Sequence, residues 1–537
     1  MSRSRIHDLL VAALCLAFFL QCLFASRVKS PANDEPNHIV SGATYIATRN
    51  IVANPQHPPL LKELAGLSLA LAGIHWHSPF SVPLENLPAG WEWAAGNRFV
   101  AISGVARTLF WARLPFLLLT PLLGLAVYWW GRELAGAGAG LAALFLLAAA
   151  PTMVAHSYLV TTDAGVTTFS LIFLLTLFRY LRKPAMGRLV ASGAALGMAL
   201  CAKFSAVFLL PIAAILLAAG WLWPPSSSGE ATDHRPAGTV SRVISAVSAM
   251  AVLCLVAIVA IQICYFSMRG PLLYVDGLRR VNADHDPTFQ AYLGGQLQHR
   301  FVSYFAVAWL LKEPLATIAL ALGGAFLALR SRAIPRLSKL FLFLPPAVFF
   351  VACTLWADDI GVRYLMPAMV FGYITGGMAL AALWKGRTLY RIVAVAAGAW
   401  LISAAAGIYP DHLSYFNEAA CLPAHPDRIG WDGGTRCGPD WLADSNVDWG
   451  QSLPQLKAWL DRNAAGRTGR LLYFGNFPPA VYGIRLEKVD QAPQVPTGQL
   501  YVISSHYMAY ASAVPNLQWL QEEPEAIAGH AYYIFEF

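Results

Sequence analysis

Long apolar runs recur along this chain. A bilayer core about 30 Å thick takes about 20 residues of helix to cross, so such runs constrain the fold more than any other feature. Eleven are candidates: 7–26, 107–130, 136–152, 162–181, 187–202, 204–223, 243–268, 305–329, 338–356, 361–383 and 389–408. Inside hydrocarbon each backbone N–H and C=O must be paired within its own segment, so each run reads as a helix. Of the 537 residues, 57% are hydrophobic and only 13% charged, and the mean hydropathy is +0.51. That composition excludes a disordered chain, a disulfide-framework mini-protein and an ordinary soluble enzyme. The first run is read as a retained helix, because no small-residue cleavage pattern follows it and many further runs do.

The net charge is +8, from 38 basic and 30 acidic residues. Basic cytoplasmic loops explain this excess, and no nucleic-acid partner is expected. Arg3 and Arg5, the segment Arg179–Arg188, the segment Arg330–Lys339, and Lys385, Arg387 and Arg391 all fall on one side of eleven spans. By the positive-inside bias that side is the cytoplasm, and the C-terminal tail lies outside. Arg107 and Arg113 break the rule, since they lie at the outer end of the second run.

The expected fold class is mainly α, a polytopic transmembrane helical bundle over residues 1–409 followed by a small extracytoplasmic α/β domain over 410–537. The outer loop 27–106 holds two amphipathic stretches, 35–50 and 58–73, expected as helices on the membrane surface. A second outer loop covers 269–304. In the tail, Pro454–Leu460 reads as a helix, and Arg470–Gly475, Leu500–Ser504 and Ala531–Phe537 read as strands. The segment Pro224–Pro236 reads as a cytoplasmic loop. Six cysteines lie in apolar runs, where they serve as small hydrophobes. Cys421 and Cys437 sit in polar surroundings; a disulfide between them is one reading and two unpaired thiols the other.

Charges near membrane depth are costly and need a partner or a function. Fifteen residues separate Asp163 from cytoplasmic Arg179. At 1.5 Å per residue they fall short of the core thickness, which places Asp163 at the outer boundary. Lys203 is the single charge in the 41 residues 189–229, a length that fits a helical hairpin with Lys203 at its outward tip. Lys312 precedes Pro314 at the outer end of one run, and Arg363 opens another after Asp358 and Asp359. Asp34 and Glu35 directly follow the first run. Acids and bases from different helices therefore gather at the outer face, around an expected cavity. Snorkelling at helix ends is the plainer account of any single one. In Asn33-Asp34-Glu35-Pro36-Asn37-His38 a carboxylate can take a proton from a hydroxyl nucleophile, or Asp34 or Asn33 can simply cap a helix begun by Pro36.

Asp34-Glu35-Pro36-Asn37-His38, Asn54-Pro55-Gln56-His57-Pro58-Pro59-Leu60 and Thr161-Thr162-Asp163 together resemble the dolichyl-phosphate-mannose protein mannosyltransferase-like membrane glycosyltransferases of bacteria. These have the GT-C fold and are related to the aminoarabinose transferases. The resemblance runs on through Lys203-Phe204-Ser205, Lys312-Glu313-Pro314, Arg363-Tyr364-Leu365-Met366-Pro367 and Asp444–Gln451. It implies an inverting glycosyltransferase of the bacterial inner membrane, moving a hexose or pentose from a polyprenyl-phosphate sugar donor to a lipid, glycan or protein acceptor on the outer face. It implies Asp34 as catalytic base, Glu35 as its orienting or acceptor-binding neighbour, and Asp163 as a second catalytic acid that binds sugar hydroxyls or helps the base. Negative charge developing on the leaving phosphate calls for cations. Lys203 and Arg363 are the first candidates, with Arg107 and Arg113 beside them, and a role here would explain the latter pair's position. His57 is a further phosphate-binding candidate, although His57-Pro58-Pro59 stands where aminoarabinose transferases carry Lys-Pro-Pro.

An Asp34–Asp163 pair can hold a divalent cation. The basic residues can neutralise phosphate without one, so no metal or other cofactor is expected. The tail motif Asp444–Gln451 is either an acceptor loop or, as expected here, a turn and helix start with Asp448 or Ser452 as cap. The competing function is a transporter or flippase for a lipid-linked or anionic substrate. That function would place charges and broken helices near the bilayer midplane, in related halves.

Overall fold

The computed structural model describes residues 3–80, 82–222, 239–283, 288–493, 496–511 and 518–537. The expected loop Pro224–Pro236 lies outside them. The N-terminal part runs through α1 (Arg3–Arg27), α2 (Glu35–Thr48), α3 (Leu60–Leu71), α4 (Trp91–Ile102), α5 (Val105–Ala135), α6 (Ala137–Ala148), α7 (Pro151–Ser157), α8 (Asp163–Arg182), α9 (Met186–Ala202) and α10 (Leu209–Leu222). It continues through α11 (Thr239–Cys264), α12 (Gly270–Ala283), α13 (Tyr304–Lys312), α14 (Leu315–Arg330), α15 (Arg336–Trp356), α16 (Met366–Lys385) and α17 (Thr388–Gly407).

All eleven apolar runs are helical, but not all are single straight helices long enough to cross. By length and composition, eight helices can each cross a membrane among the described residues. Two more crossings are bent pairs, α6 with α7 at 69° and α13 with α14 at 114°. Pro151 opens α7 and Pro314 precedes α14, and a proline ring cannot continue a preceding helix through its own missing N–H. The helix α9 has only 17 residues.

Between α1 and α5 the amphipathic stretches form α2 and α3, and these two helices meet closely. A Cβ on Gly42 would stand 1.8 Å from the Lys62 carbonyl oxygen, and one on Gly66 would stand 2.2 Å from that of Gly42. Only hydrogen fits at this crossing, which fixes how α2 lies and therefore where its first residues point. The segment 269–304 adds α12 and a hairpin of β1 (Ala291–Leu293) and β2 (Gln296–Gln298).

Beyond α17 the chain forms short 3-10 turns, α18 (Leu453–Asn463), a mixed sheet and α19 (Ser505–Ala511). The strands are β3 (Gly469–Leu472), β4 (Glu487–Val489), β5 (Leu500–Ser504), β6 (Ala526–Ala528) and β7 (Tyr532–Glu536), in the order β4-β3-β5-β7-β6. The pairs β3–β4 and β3–β5 are parallel; β5–β7 and β6–β7 are antiparallel. Central β5 is buried throughout its length and is apolar up to Ser504, whereas β4 is three residues at an edge and carries no such signal. Cys421 and Cys437 are disulfide-bonded, and the six other cysteines are free, five of them buried.

Candidate active site

Four ionisable side chains from four separated segments meet at helix ends. Asp34 precedes α2, Asp163 opens α8, Lys203 follows α9, and Arg363 lies in the 3-10 turn Val362–Leu365 before α16. The Lys203 ammonium donates to Asp163 Oδ1 at 2.6 Å. Arg363 Nη1 lies 3.6 Å from Asp163 Oδ2 and 3.6 Å from Asp34 Oδ2. One guanidinium thus bridges two carboxylates, and Lys203 closes the far side.

Burial grades across the group. Asp163 is 1% exposed and Arg363 9%, whereas Lys203 is 16% and Asp34 23% exposed. Asp34 is the member that faces outward. Its side chain makes no capping hydrogen bond to α2, so the capping reading of this motif does not hold. Burial, with Asp163 adding to it, raises the Asp34 carboxyl above the usual range, and Arg363 and Lys203 only partly offset this. Arg363 Nε and Asp163 Oδ2 have no hydrogen-bond partner. Spare donors and acceptors at this depth are costly unless something polar meets them.

The tail completes the wall. The Arg363 guanidinium lies 4.0 Å over the Trp449 ring and 5.2 Å from that of Tyr364, and Lys203 Nζ is 4.1 Å from the same Tyr364 ring. Asn446 accepts from the Val362 N–H at 3.0 Å and donates to Tyr304 and to the Ala443 carbonyl. Lys312, itself buried, donates to the carbonyls of Asn446 and Leu413 at 2.6 and 2.7 Å. Asp444 adopts φ +57° and lies within electrostatic reach of Arg363 and Asp34; burial pushes its carboxyl up to about 6. The motif Asp444–Gln451 is therefore not the plain turn expected: it holds Arg363 in place. Asp448 accepts from Ser504 and from the Gly450 N–H, and neither it nor Ser452 makes a side-chain cap for α18.

Other sequence candidates lie elsewhere. Glu35 is fully buried and binds Arg113 through two hydrogen bonds, 2.9 Å from Nε and 2.6 Å from Nη2. It also accepts the N–H groups of Ala32 and Val160, so four hydrogen bonds from three residues satisfy both of its oxygens. Arg113 spends its remaining donors on the carbonyls of Ser26 and Ser30. This internal pairing accounts for the deep burial of Arg113. Arg107 is exposed and donates to the Ala72 carbonyl at the end of α3. His57 lies in the α2–α3 linker, its ring 4.9 Å from that of His38, and it borders a cavity of about 170 Å³ with Tyr45, Tyr265 and Arg280. Burial, then Lys62, Lys203 and Arg363, hold His57 well below its usual value, which favours the neutral ring.

Lys62 was missed by sequence reasoning. In an amphipathic surface helix a lone lysine reads as snorkelling, yet Lys62 is 1% exposed and donates to the carbonyls of Asn54 and His57. Burial pushes its ammonium down to about 7. Its place five residues after His57 is the signal that was available.

Among the described residues, no group of three or more His, Cys, Asp or Glu is arranged to hold a metal ion. The guanidinium between Asp34 and Asp163 occupies the space a bridging cation would use.

The family model "Dolichyl-phosphate-mannose-protein mannosyltransferase" matches residues 93–227, which include Asp163 and Lys203. No curated protein matches the sequence. Among solved structures, ArnT from Cupriavidus metallidurans bound to undecaprenyl phosphate superposes with a TM-score of 0.50 at 14% identity, over 99% of this chain and 98% of that one. Its apo form gives 0.50 at 15%, with the same coverage. The oligosaccharyltransferase AglB from Archaeoglobus fulgidus is a looser likeness, at 13% identity and 0.46, over 97% of this chain and 72% of that one. The chain has the fold of ArnT, a GT-C membrane protein, and across 93–227 it carries the sequence signature of the dolichyl-phosphate-mannose-protein mannosyltransferases.

Proposed function

We propose that the protein is an inverting glycosyltransferase of the outer membrane face, taking a sugar from a polyprenyl-phosphate carrier. The observation that carries this reading is the Asp34–Arg363–Asp163–Lys203 cluster: an outward carboxylate backed by two cations at the helix ends. In the proposed reaction Asp34 takes the proton of the acceptor hydroxyl. The oxygen attacks the anomeric carbon, the bond from that carbon to the phosphate oxygen breaks, and polyprenyl phosphate leaves with the bonding electrons. Lys203 and Arg363, the latter through its free Nε–H, stabilise the charge on the departing phosphate. Asp163 holds both cations and offers Oδ2 to a sugar hydroxyl. His57, neutral and beside buried Lys62, is proposed to border the donor and to contact phosphate as a hydrogen-bond donor. No metal is needed where a guanidinium already bridges the carboxylates, and transfer is expected to persist in chelator.

The likeness to ArnT, whose structure holds undecaprenyl phosphate, supports a carrier of this class. The disulfide Cys421–Cys437 supports an oxidising compartment for the tail, and with it an outer-face site in a bacterial inner membrane. The alternative of a transporter or flippase is separated from transfer by the product, since a transporter moves the sugar while it is still joined to its carrier. The test is transfer in membranes expressing the protein, from a panel of radiolabelled polyprenyl-phosphate hexoses and pentoses, with the labelled product identified as lipid, glycan or protein. Label that never leaves the carrier with any donor would refute the reading.

A further inference from the structure

The disulfide-closed loop 421–437 lies against the outer end of α17. A Cβ on Gly407 would stand 2.0 Å from the Trp431 carbonyl oxygen, so loop and helix touch backbone to backbone. Between them is a cavity of about 570 Å³ bordered by Trp400, Ser403, Glu418, Gly430 and Trp431. Glu418 Oε1 accepts the Trp400 indole N–H at 2.8 Å, whereas buried Oε2 has no hydrogen-bond partner. No basic side chain forms an ion pair with Glu418 among the described residues. This group lies far along the chain from the Asp34 cluster and no step of the proposed transfer uses it.

The surroundings identify what would meet this carboxylate. Trp431 is 82% exposed and Trp400 43%, and the exposed apolar surface continues through Ile402 of α17 and Tyr409 just beyond it. Indoles so placed belong to the membrane–water interface. Trp431 meets α17 at Gly407, the last residue of the helix, so the loop side of the cavity lies where the apolar run ends. A carboxylate with one oxygen unpartnered, in a cavity bordered by two indoles, is the chemistry that receives an ammonium group, through charge-assisted N–H donation with the aromatic rings alongside.

We propose that this cavity is a binding site for the ammonium head group of a phospholipid, with phosphatidylethanolamine as occupant. Glu418 accepts its N–H groups, Trp400 and Trp431 flank the cation, and the acyl chains lie along α17. The site ties the tail to the bilayer.

The test is native mass spectrometry of the full chain in detergent, titrated with phosphatidylethanolamine or with phosphatidylglycerol of the same acyl chains. Wild type should retain the first roughly tenfold more strongly than the second. Glu418→Gln keeps the Trp400 hydrogen bond and should remove that preference, while Trp431→Ala, at an exposed site, should weaken it severalfold. Both variants should melt like wild type, which separates lost binding from lost fold. Equal retention of the two lipids by wild type, or an unchanged preference in Glu418→Gln, would overturn the proposal. Phosphoethanolamine without chains should compete weakly; competition equal to the lipid's would assign the site to a soluble amine. None of these readouts involves glycosyl transfer, so they stand or fall apart from the proposed function.

Discussion

Adjacent carboxylates in this chain have opposite fates, and only their partners distinguish them. Asp34 is partly exposed and meets one guanidinium at 3.6 Å, while Glu35 accepts four hydrogen bonds in full burial. Removing one member of a buried pair strands the other charge, at a cost of about 3–5 kcal/mol. Glu35→Gln is therefore expected to lower the melting temperature and the folded yield sharply, as read by thermal-shift chromatography, with transfer per folded molecule much less affected. A second expectation concerns pH. The Asp34 base works only when ionised, and burial raises its carboxyl. The acid limb of transfer should then lie above pH 4, the ordinary carboxylate value, with rate falling as pH drops through it. A pH–rate profile flat down to pH 4 would contradict this. The sequence placed Asp34, Asp163, Lys203 and Arg363 at one membrane face by counting residues and charges. It could not reveal that Arg113 belongs to Glu35 across 78 positions, because no local pattern encodes such a pairing.

At the scale of elements, two contacts aim the cluster. The glycine crossing of α2 and α3 positions the segment that begins with Asp34, and the loop Asp444–Gln451 props Arg363 on Trp449. Gly42→Ala would force these helices apart and should cut transfer more than donor binding, since Lys203 and Arg363 lie on other elements. Trp449→Ala should remove the support under Arg363 and cost about 3–5 kcal/mol of stability from a buried indole, together with most of the activity. Kinetics with matched folded protein separate the two effects. The helices α2 and α3 were legible from period and amphipathicity. The role of Asp444–Gln451 was not, because its hydrogen bonds reach Val362, Tyr304 and Lys312, far away in sequence. The edge strands β4 and β6 are three residues each, too short to show alternation.

In the whole molecule, apolar runs dictated a helical membrane bundle, and the bends at Pro151 and Pro314 escaped because hydropathy does not register direction. Bundle and tail are joined by a charge network in which Asp411 pairs with Lys29 and with His530, and His530 also reaches Asp432 at 3.3 Å. Asp411 and Asp432 raise His530 to about 9 against its own burial. A raised histidine stabilises fully below its ordinary value near 6.5 and ceases to do so as pH climbs through about 9. Lys29 and His530 hold Asp411 below the usual carboxylate range, so its contribution is present above about 4 and is lost only in stronger acid. The melting temperature should therefore fall between pH 6.5 and 9, and His530→Gln should flatten that limb. The central claim is a base at the outer face acting on a lipid-linked donor. It is tested most directly by transfer in proteoliposomes holding purified wild type or Asp34→Asn, with donor binding matched and the melting temperature unchanged. A loss of 10²- to 10⁴-fold, about what a general base contributes, is the predicted result; turnover near that of wild type would contradict it.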